Sequence, residues 1–522
     1  MVAYGTTPRC GDAEGRVFSL RLICVFFCFF GGTAWKGDTD MFDITVIGAG
    51  VVGGMIARRL SAYDLKICVV DKENDVARGA TAANSAIVHA GFDAKAGSMK
   101  ARMNVRGSQL MEQVCAELGV SYKRNGSLVV AFENERAEVE DIYRRGVENG
   151  VEGLRIVEKD ELFAMEPNLN PDLSCALYAP TGAIVCPYGL TIAAIGNAMD
   201  NGAELALNFE VVAISKDEEG FTVTAADGRE IKTRYLVNSA GVFSDEIARM
   251  LGDESFTVHP RRGEYMLLDK ECGSTATCTI FHTPTKMGKG ILVSPTVHGN
   301  LIVGPTAVDM EDKNDTATTP EGFADIREKA GDNVANVPYG KVITSFCGLR
   351  SVGSTGDFII KGENNVITLG GIESPGLSSS PAIAEYVEEL LRGMGLTLTP
   401  KADYNPYREP TDSFRHMSVA EKNEMIKKDS RYGRIICRCE EVTEGEMVAA
   451  IHRNPPAYDV DAVKRRTRGG MGRCQGGFCS PEVIRILARE WNLPYDAITK
   501  NGHGAYINKG RTKVAGGNKE GN

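Results

Sequence analysis

Residues 43–71 read DITVIGAGVVGGMIARRLSAYDLKICVVD, and the rest of the chain is organised around them. Ile44 to Ile47 is an apolar run of the kind that fills a strand buried on both faces. Gly48, Gly50 and Gly53 follow in G-x-G-x-x-G spacing, then an amphipathic segment from Val51 to Leu60. A second apolar run, Ile67 to Val70, ends on Asp71. Gly48 permits the tight turn, Gly50 lets a pyrophosphate approach the backbone, and Gly53 lets helix and strand pack closely. Ala49, Val51 and Val52 share that turn. Asp71, 18 residues beyond Gly53 and followed by Lys72, is placed to accept hydrogen bonds from a ribose. Glycines at this spacing also mark ordinary turns, but strand, turn, helix, strand and terminal acid together specify a dinucleotide site. The motif does not separate NAD from FAD.

At 522 residues the chain exceeds one ordinary domain, and two or three are expected. A composition of 43% apolar and 25% charged residues is that of a globular protein. The net charge of −10 argues against nucleic acid as a partner. The 14 cysteines are dispersed except for Cys437/Cys439 and Cys474/Cys479. That pattern reads as a reducing, cytoplasmic setting in which the clustered thiols do chemistry. The first forty residues look foreign to this picture. Leu22 to Gly32, LICVFFCFFGG, follows Arg9, Arg16 and Arg21 like a signal-peptide core and is short for a membrane span. A secretory signal or anchor competes with a start set upstream of the true one, since Met41 stands two residues before Asp43. Export suits thiolate chemistry poorly and no small-residue cleavage site is evident, so residues 1–40 are read as an extraneous extension. Any membrane association is then expected through partners.

After Asp71, the stretch VARGATAANSAIVHAGFDAKAGSMKARM is dominated by small residues, so backbone can lie close to a flat ligand; Asn84, Ser85 and His89 are its polar side chains. A helix is expected from about Met99 to Leu118, and YKRNGSLVVAF reads as a strand pair around Asn125-Gly126. Short strands around residues 205–214 and 221–225 precede an Asp227-Gly228 hairpin turn. YLVNSAGVFSDEIARMLG repeats the strand-to-helix crossing, and antiparallel strands are expected from His259 to Gly304. A last buried strand, Val366 to Leu369, leads into GGIESPGLSSSPAIAEYV, where Ser380 reads as an N-cap and Pro381 as the first helical residue. No internal repeat is seen.

The strongest signal is C-terminal. Cys437 and Cys439 form C-x-C, and Cys474 and Cys479 form C-x4-C, inside glycine-rich sequence. Four thiolates hold a [2Fe–2S] cluster, and nearby glycines let amides reach the sulfurs. Zinc and four unrelated buried thiols are the alternatives; zinc knuckles usually use C-x2-C pairs.

This unit resembles the bacterioferritin-associated ferredoxin-like [2Fe–2S] domains. Residues 42–395 resemble the FAD-dependent oxidoreductases of the D-amino-acid oxidase/glycerol-3-phosphate dehydrogenase superfamily, through VIGAGVVGG, NSAIVHAG, VNSAG, RRGEY, CGLRS and GIESPGL. The order of the two modules is similar to that of the A subunits of anaerobic glycerol-3-phosphate dehydrogenases. The resemblance implies an α/β architecture with a Rossmann-like FAD-binding domain (about 41–120, 186–258 and 341–400). An interleaved α+β substrate domain with an antiparallel sheet (about 121–185 and 259–340) is implied, then a linker (401–434), the small cluster domain (435–493) and a tail (494–522), whose last twenty or so residues, rich in Gly, Lys and Asn, read as disordered. It implies FAD rather than NAD, held also by Asn84, Ser85, Val212, Ala240, Gly241, Asp245, Gly371, Ile372, Gly376 and Leu377. The NSAIVHAGFD and GIESPGL stretches are also similar to L-2-hydroxyglutarate dehydrogenases, which lack the iron–sulfur unit.

The implied reaction is oxidation of a small anionic alcohol, with sn-glycerol 3-phosphate first and a 2-hydroxy acid second. An amine or amino-acid oxidase is a third reading, and a non-catalytic flavin/iron–sulfur relay subunit a fourth. His89 is the first choice for the base that accepts the hydroxyl proton, ahead of Tyr265 and His282. Arg350, in a glycine-flanked loop, suits the anion, with Arg262 assisting. The helix after Pro381 would direct its N-terminal dipole at the flavin. Lys464, Arg465, Arg466, Arg468 and Arg473 read either as a solvated face or as a docking face for an acidic electron-acceptor protein.

Overall fold

The apolar run that opens the motif forms the strand Phe42–Ile47, paired in parallel with Ile67–Val70 on one side and Glu230–Asn238 on the other. The computed structural model describes residues 41–284, 290–411, 413–508 and 510; the expected extension 1–40 and the end of the expected tail lie outside the described residues. A central strand is covered on both faces, which is why this run has no polar alternation. Across the parallel part of an eight-stranded sheet the order is Val366–Gly370, Glu230–Asn238, Phe42–Ile47, Ile67–Val70, Glu204–Ala206. Ile47 stands level with Val70 and Asn238. Gly48, Asp71 and Ser239 therefore leave three neighbouring strands at one height, at the carboxyl ends where open α/β sheets bind ligands. Helices Val51–Leu60, Met99–Leu118, Pro187–Asp200 and Gly376–Gly393 bury this half's core.

A second, nine-stranded sheet is antiparallel except where Ser127–Ala131 runs parallel to Thr279–His282. Its longest ladder joins Val258–Leu268 to Val342–Gly353 and sets Arg261 opposite Arg350. Val342–Gly353, expected in the FAD-binding half, thus belongs to the substrate sheet. The expected strand pair around Asn125-Gly126 does not form either. Tyr122–Lys123 pairs with Ala183–Val185, while Ser127–Ala131 pairs with Cys175–Ala179 in the other sheet. Ser127–Ala131 is buried throughout, so it needs a neighbour on each side, which a lone hairpin partner does not supply.

The last helix of the flavin half begins at Gly376, and Pro381 lies inside it rather than at its start. Proline has no N–H to give the Leu377 carbonyl; the Ser380 hydroxyl donates to that oxygen instead, at 2.9 Å. The 401–434 segment holds the helix Val419–Lys428, closed by a Ser418/Glu421 capping box.

The C-terminal unit has a hairpin (Ile435–Cys437, Val442–Thr443), helices Glu444–His452, Val460–Thr467 and Ser480–Glu490, and its own core. Ile498 belongs to that core and Thr499 bridges to Tyr506, so packing continues past Leu493 into the expected tail. Among the described residues, no helix is long and apolar enough to cross a membrane.

The basic run is not one solvated face: of its five cations only Arg473 is exposed. Arg465 and Arg466 are buried and close on the buried Asp75 of the flavin half, at 2.5 and 2.8 Å. Lys464 pairs with Asp461, Arg468 with Glu440, and Arg473 with Asp269 and Glu271. Burial alone would push the Asp75 carboxyl up, but Arg466 and Arg465 hold it down at about 2. Such a group stabilises the fold at every pH above its unfolded value near ~3.9. That contribution is lost as pH falls through about 2. Asp75→Asn leaves two buried cations without their anion and is expected to cost about 3–5 kcal/mol at neutral pH. Denaturant midpoints should show this, with the gap from the parent narrowing from pH ~4 down to about 2, as the carboxylate protonates first in the unfolded chain and then in the fold.

Candidate active site and cluster site

A cleft of about 1120 Å³ opens above the carboxyl ends of the parallel strands and is walled on its far side by the antiparallel sheet. At its floor Gly48 has φ +109°, and a Cβ there would lie 2.5 Å from the Ser239 carbonyl oxygen. A Cβ on Gly53 would lie 1.9 Å from Gly48 O, so helix and turn touch through bare backbone. On Gly50 a Cβ would meet only Thr81 Oγ1, at 3.3 Å, leaving that backbone open to the cleft. The Asp71 carboxylate accepts the Ala49 amide at 2.7 Å and the Glu73 amide at 2.9 Å. The turn is thereby tied to the acid at the strand end. Gly53→Ala should cost at least the roughly 1–3 kcal/mol of overpacking. FAD content per purified chain should fall below the parent's.

Gly48, Gly50, Val51, Val52, Asp71, Lys72, Asn84, Ser85, Ala240, Gly241, Ile372, Gly376 and Leu377 line this cleft. Ala49 is buried beneath it. Besides Ala49 and Gly53, three expected cofactor contacts are not among the lining residues. Val212 lies 49% exposed on the outer side of its strand, and its neighbour Val211 reaches the cleft. A slip of one residue reverses the face in a strand. Asp245 is buried against Lys313 (2.6 Å) and Arg249 (3.1 Å), so it braces its helix instead. Gly371, with φ +61°, packs against Gly353 and turns the chain.

His89, Tyr265 and Arg350 all line the cleft. The His89 amide donates to Ser378 Oγ at 2.8 Å, and Asn104 donates to the His89 carbonyl at 3.0 Å. Its Nε2 lies 3.5 Å from Ser374 Oγ, and its ring rests 5.6 Å from that of Phe281. Tyr265 stacks on Phe346 at 4.9 Å, and its hydroxyl is 3.1 Å from Ser85 Oγ. Burial pushes the Tyr265 phenol up, against the pull of Arg350. Arg350 reaches the Thr306 carbonyl at 3.4 Å and has no acidic partner among the described residues.

Arg262 and His282 lie elsewhere. Arg262 is buried on Asp315, while Arg261, opposite Arg350, lines the cleft and is held by Asp309. His282 bonds Asn333 and Glu135, both at 3.0 Å, and the preceding Phe281 takes the cleft side of that strand. Thr81, whose Oγ1 accepts the Val51 amide at 3.0 Å, and Ser378 escaped sequence reading. Their signal was present only as hydroxyls in stretches of small residues.

In the C-terminal unit Cys439 and Cys474 sulfurs are 3.6 Å apart, and Cys437 contacts Cys479. The Cys479 thiol holds Cys437 down at about 6, helped by the Gly470 and Glu440 amides, while burial opposes. Cys474, raised by burial, is lowered overall by amides of Phe478, Gly476 and Gly477 and by Cys439. A Cβ on Gly472 would sit 2.2 Å from that of Cys439. No three His, Cys, Asp or Glu side chains among the described residues converge as a single ion requires. Thiols in two pairs with amides aimed at sulfur fit a dinuclear iron–sulfur centre better than zinc.

The model for FAD dependent oxidoreductases (DAO) matches residues 43–390, and that for the BFD-like [2Fe-2S] binding domain matches residues 435–489. The chain is 48% identical to the glycerol 3-phosphate dehydrogenase of Caloramator mitchellensis, over 91% of this chain and 99% of that protein. The mitochondrial L-2-hydroxyglutarate dehydrogenase of Homo sapiens is 30% identical, over 59% of this chain and 68% of that protein. The FAD-bound L-alpha-glycerophosphate oxidase of Mycoplasma pneumoniae superposes with a TM-score of 0.67 at 30% identity, covering 71% of this chain and 99% of that one.

Proposed function

Because the chain belongs to the DAO family of FAD-dependent oxidoreductases and carries a BFD-like [2Fe–2S] domain, we propose that it is a dehydrogenase that oxidises sn-glycerol 3-phosphate to dihydroxyacetone phosphate. Its cofactors are FAD and a [2Fe–2S] cluster. The observation that carries the substrate class is Arg350, a cleft guanidinium without an acidic partner. Such a group binds a phosphate bidentately.

Gly48, Gly50 and the start of the Val51–Leu60 helix would hold the FAD pyrophosphate, and Asp71 a ribose. Cys437, Cys439, Cys474 and Cys479 would hold the cluster. When bound, FAD supplies a two-electron acceptor for the carbinol hydrogen, and the cluster a one-electron carrier. Arg350 fixes the phosphate, and Tyr265, which bears on both Arg350 and Ser85, keeps that guanidinium in place. His89 takes the hydroxyl proton at Nε2, its backbone held by Ser378 and Asn104. His89→Gln should lower kcat by about 10²–10⁴ with little change in substrate affinity, as removal of a general base does. Stopped-flow flavin reduction would measure it.

A built-in relay suits a dehydrogenase that hands electrons to a separate acceptor, which we take to be a protein. Cys439 is exposed, and Phe478, adjoining Cys479, is 87% exposed, so the cluster's edge meets the surface. The second reading, a 2-hydroxy-acid dehydrogenase, draws on the human relative, since Arg350 would serve a carboxylate equally. Anaerobic addition of each compound separates them. Bleaching of the flavin by glycerol 3-phosphate and not by L-2-hydroxyglutarate supports the first reading, and the reverse pattern supports the second.

A further inference from the structure

A second cavity lies where the flavin half, the 401–434 segment and the cluster unit meet. It holds about 70 Å³. At about 10–15 Å³ per water that is room for roughly five waters, enough for a phosphate group. Its wall is strongly basic: Arg408, Arg415, Arg453, Arg465, Arg466 and Arg468 line it together with His298. Two carboxylates share the wall. Glu409 is exposed, and Glu446 is committed to the Thr443 amide and hydroxyl at 2.8 and 2.7 Å.

Several of these cations are already neutralised. Arg465 and Arg466 hold Asp75, Arg468 holds Glu440, and Arg408 lies 3.0 Å from Asp200. The remainder are not. The Arg453 guanidinium has no hydrogen bond or ion pair among the described residues; Asp200 and Glu409 are the acids whose charge reaches it. Arg415 spends a donor on a backbone carbonyl, Glu440 O, rather than on a carboxylate. His298 Nε2 is buried without a hydrogen-bond partner. Burial, and then Arg453, push Arg408 down to about 10. Burial, followed by Arg468, Lys270 and Arg415, pushes His298 down to about 2. Positive charge and a buried ring nitrogen without a partner thus face one small space.

We infer that this cavity is an anion site, built for a phosphate-sized dianion: inorganic phosphate or the phosphate of a small phosphomonoester. Arg453, Arg415 and His298 come from the cluster unit, the connecting segment and the substrate sheet's Thr296–Asn300 turn. An anion they share cross-links the three and steadies the seating of the cluster unit on the flavin half. This does not rest on the proposed reaction, because none of these residues lines the flavin cleft.

Inorganic phosphate titrated calorimetrically into the FAD- and cluster-loaded protein, at constant ionic strength, tests it. In Arg350→Met, which removes the unpaired cation of the flavin cleft, one equivalent should still bind. Adding Arg453→Met should weaken that site at least ~10-fold, while Arg453→Lys should keep it. Retained flavin and cluster absorbance certifies the fold, and Arg415→Met gives a second variant with the same expected loss. Ethyl phosphate displacing phosphate assigns a phosphomonoester; phosphate binding without such displacement assigns the free ion. No binding of either in Arg350→Met, or binding indifferent to Arg453→Met and Arg415→Met, overturns the inference.

Discussion

An Arg350→Met enzyme is expected to lose about 10²–10³ in kcat/KM for sn-glycerol 3-phosphate, equivalent to about 2.7–4.1 kcal/mol. The size follows from removing one guanidinium that makes charge-assisted hydrogen bonds, each contributing about 1.5–3 kcal/mol. Arg350 grips the phosphate, which does not react, so most of the loss should appear as a raised KM, with a smaller fall in kcat from misplacement of the carbinol hydrogen. Arg350→Lys should recover part of the affinity, since an ammonium keeps the charge but not the planar fork. The neighbouring arginines do not substitute. Arg261 is held by Asp309 and Arg262 by Asp315. Steady-state kinetics on the two variants, with FAD content matched to the parent, gives the split. An unchanged KM in Arg350→Met would move the anion site elsewhere in the cleft.

A Cys437→Ser protein should keep FAD and substrate-driven flavin bleaching but lose its cluster, and with it turnover on any acceptor served by the cluster. Cys437 is buried, and the Cys479 thiol and the Gly470 and Glu440 amides favour its thiolate. Serine has no comparable anion there. Changes to groups that merely orient a ligand cost about 10–100-fold in metal affinity, and deleting the ligand itself costs more. The measurements are iron per chain, the visible cluster spectrum, and turnover with a protein acceptor beside single-turnover flavin reduction. Wild-type turnover in a chain without iron would remove the cluster from the electron path.

Much of this was legible in the sequence where chemistry is local. The strand, glycine turn, helix and Asp71 sit within 29 residues, and each glycine's duty is visible in the backbone contacts it makes. The four cysteines, which the structure brings together as Cys439/Cys474 and Cys437/Cys479, stood out by their spacing. What depended on register was not. Val211 and Val212, Arg261 and Arg262, and Phe281 and His282 are neighbours on strands, and sequence does not tell which member of each pair faces the cleft. Distance along the chain hid the rest. Arg465 and Arg466 look like a solvated charge run until Asp75, 390 residues earlier, is brought against them. Pro381 reads as a helix start unless the Ser380 hydroxyl is seen to serve the carbonyl that proline leaves unpaired. Asp245 has the right residue type in the right turn, but Lys313 claims it.

The most direct test of the electron path is an anaerobic titration of the whole protein with sn-glycerol 3-phosphate, followed at once by flavin absorbance and cluster EPR. The account predicts that the flavin bleaches and that the signal of a reduced [2Fe–2S] centre grows from the same addition, with no acceptor present. A flavin left oxidised by glycerol 3-phosphate, or a bleached flavin beside a cluster that stays EPR-silent and oxidised, would contradict it.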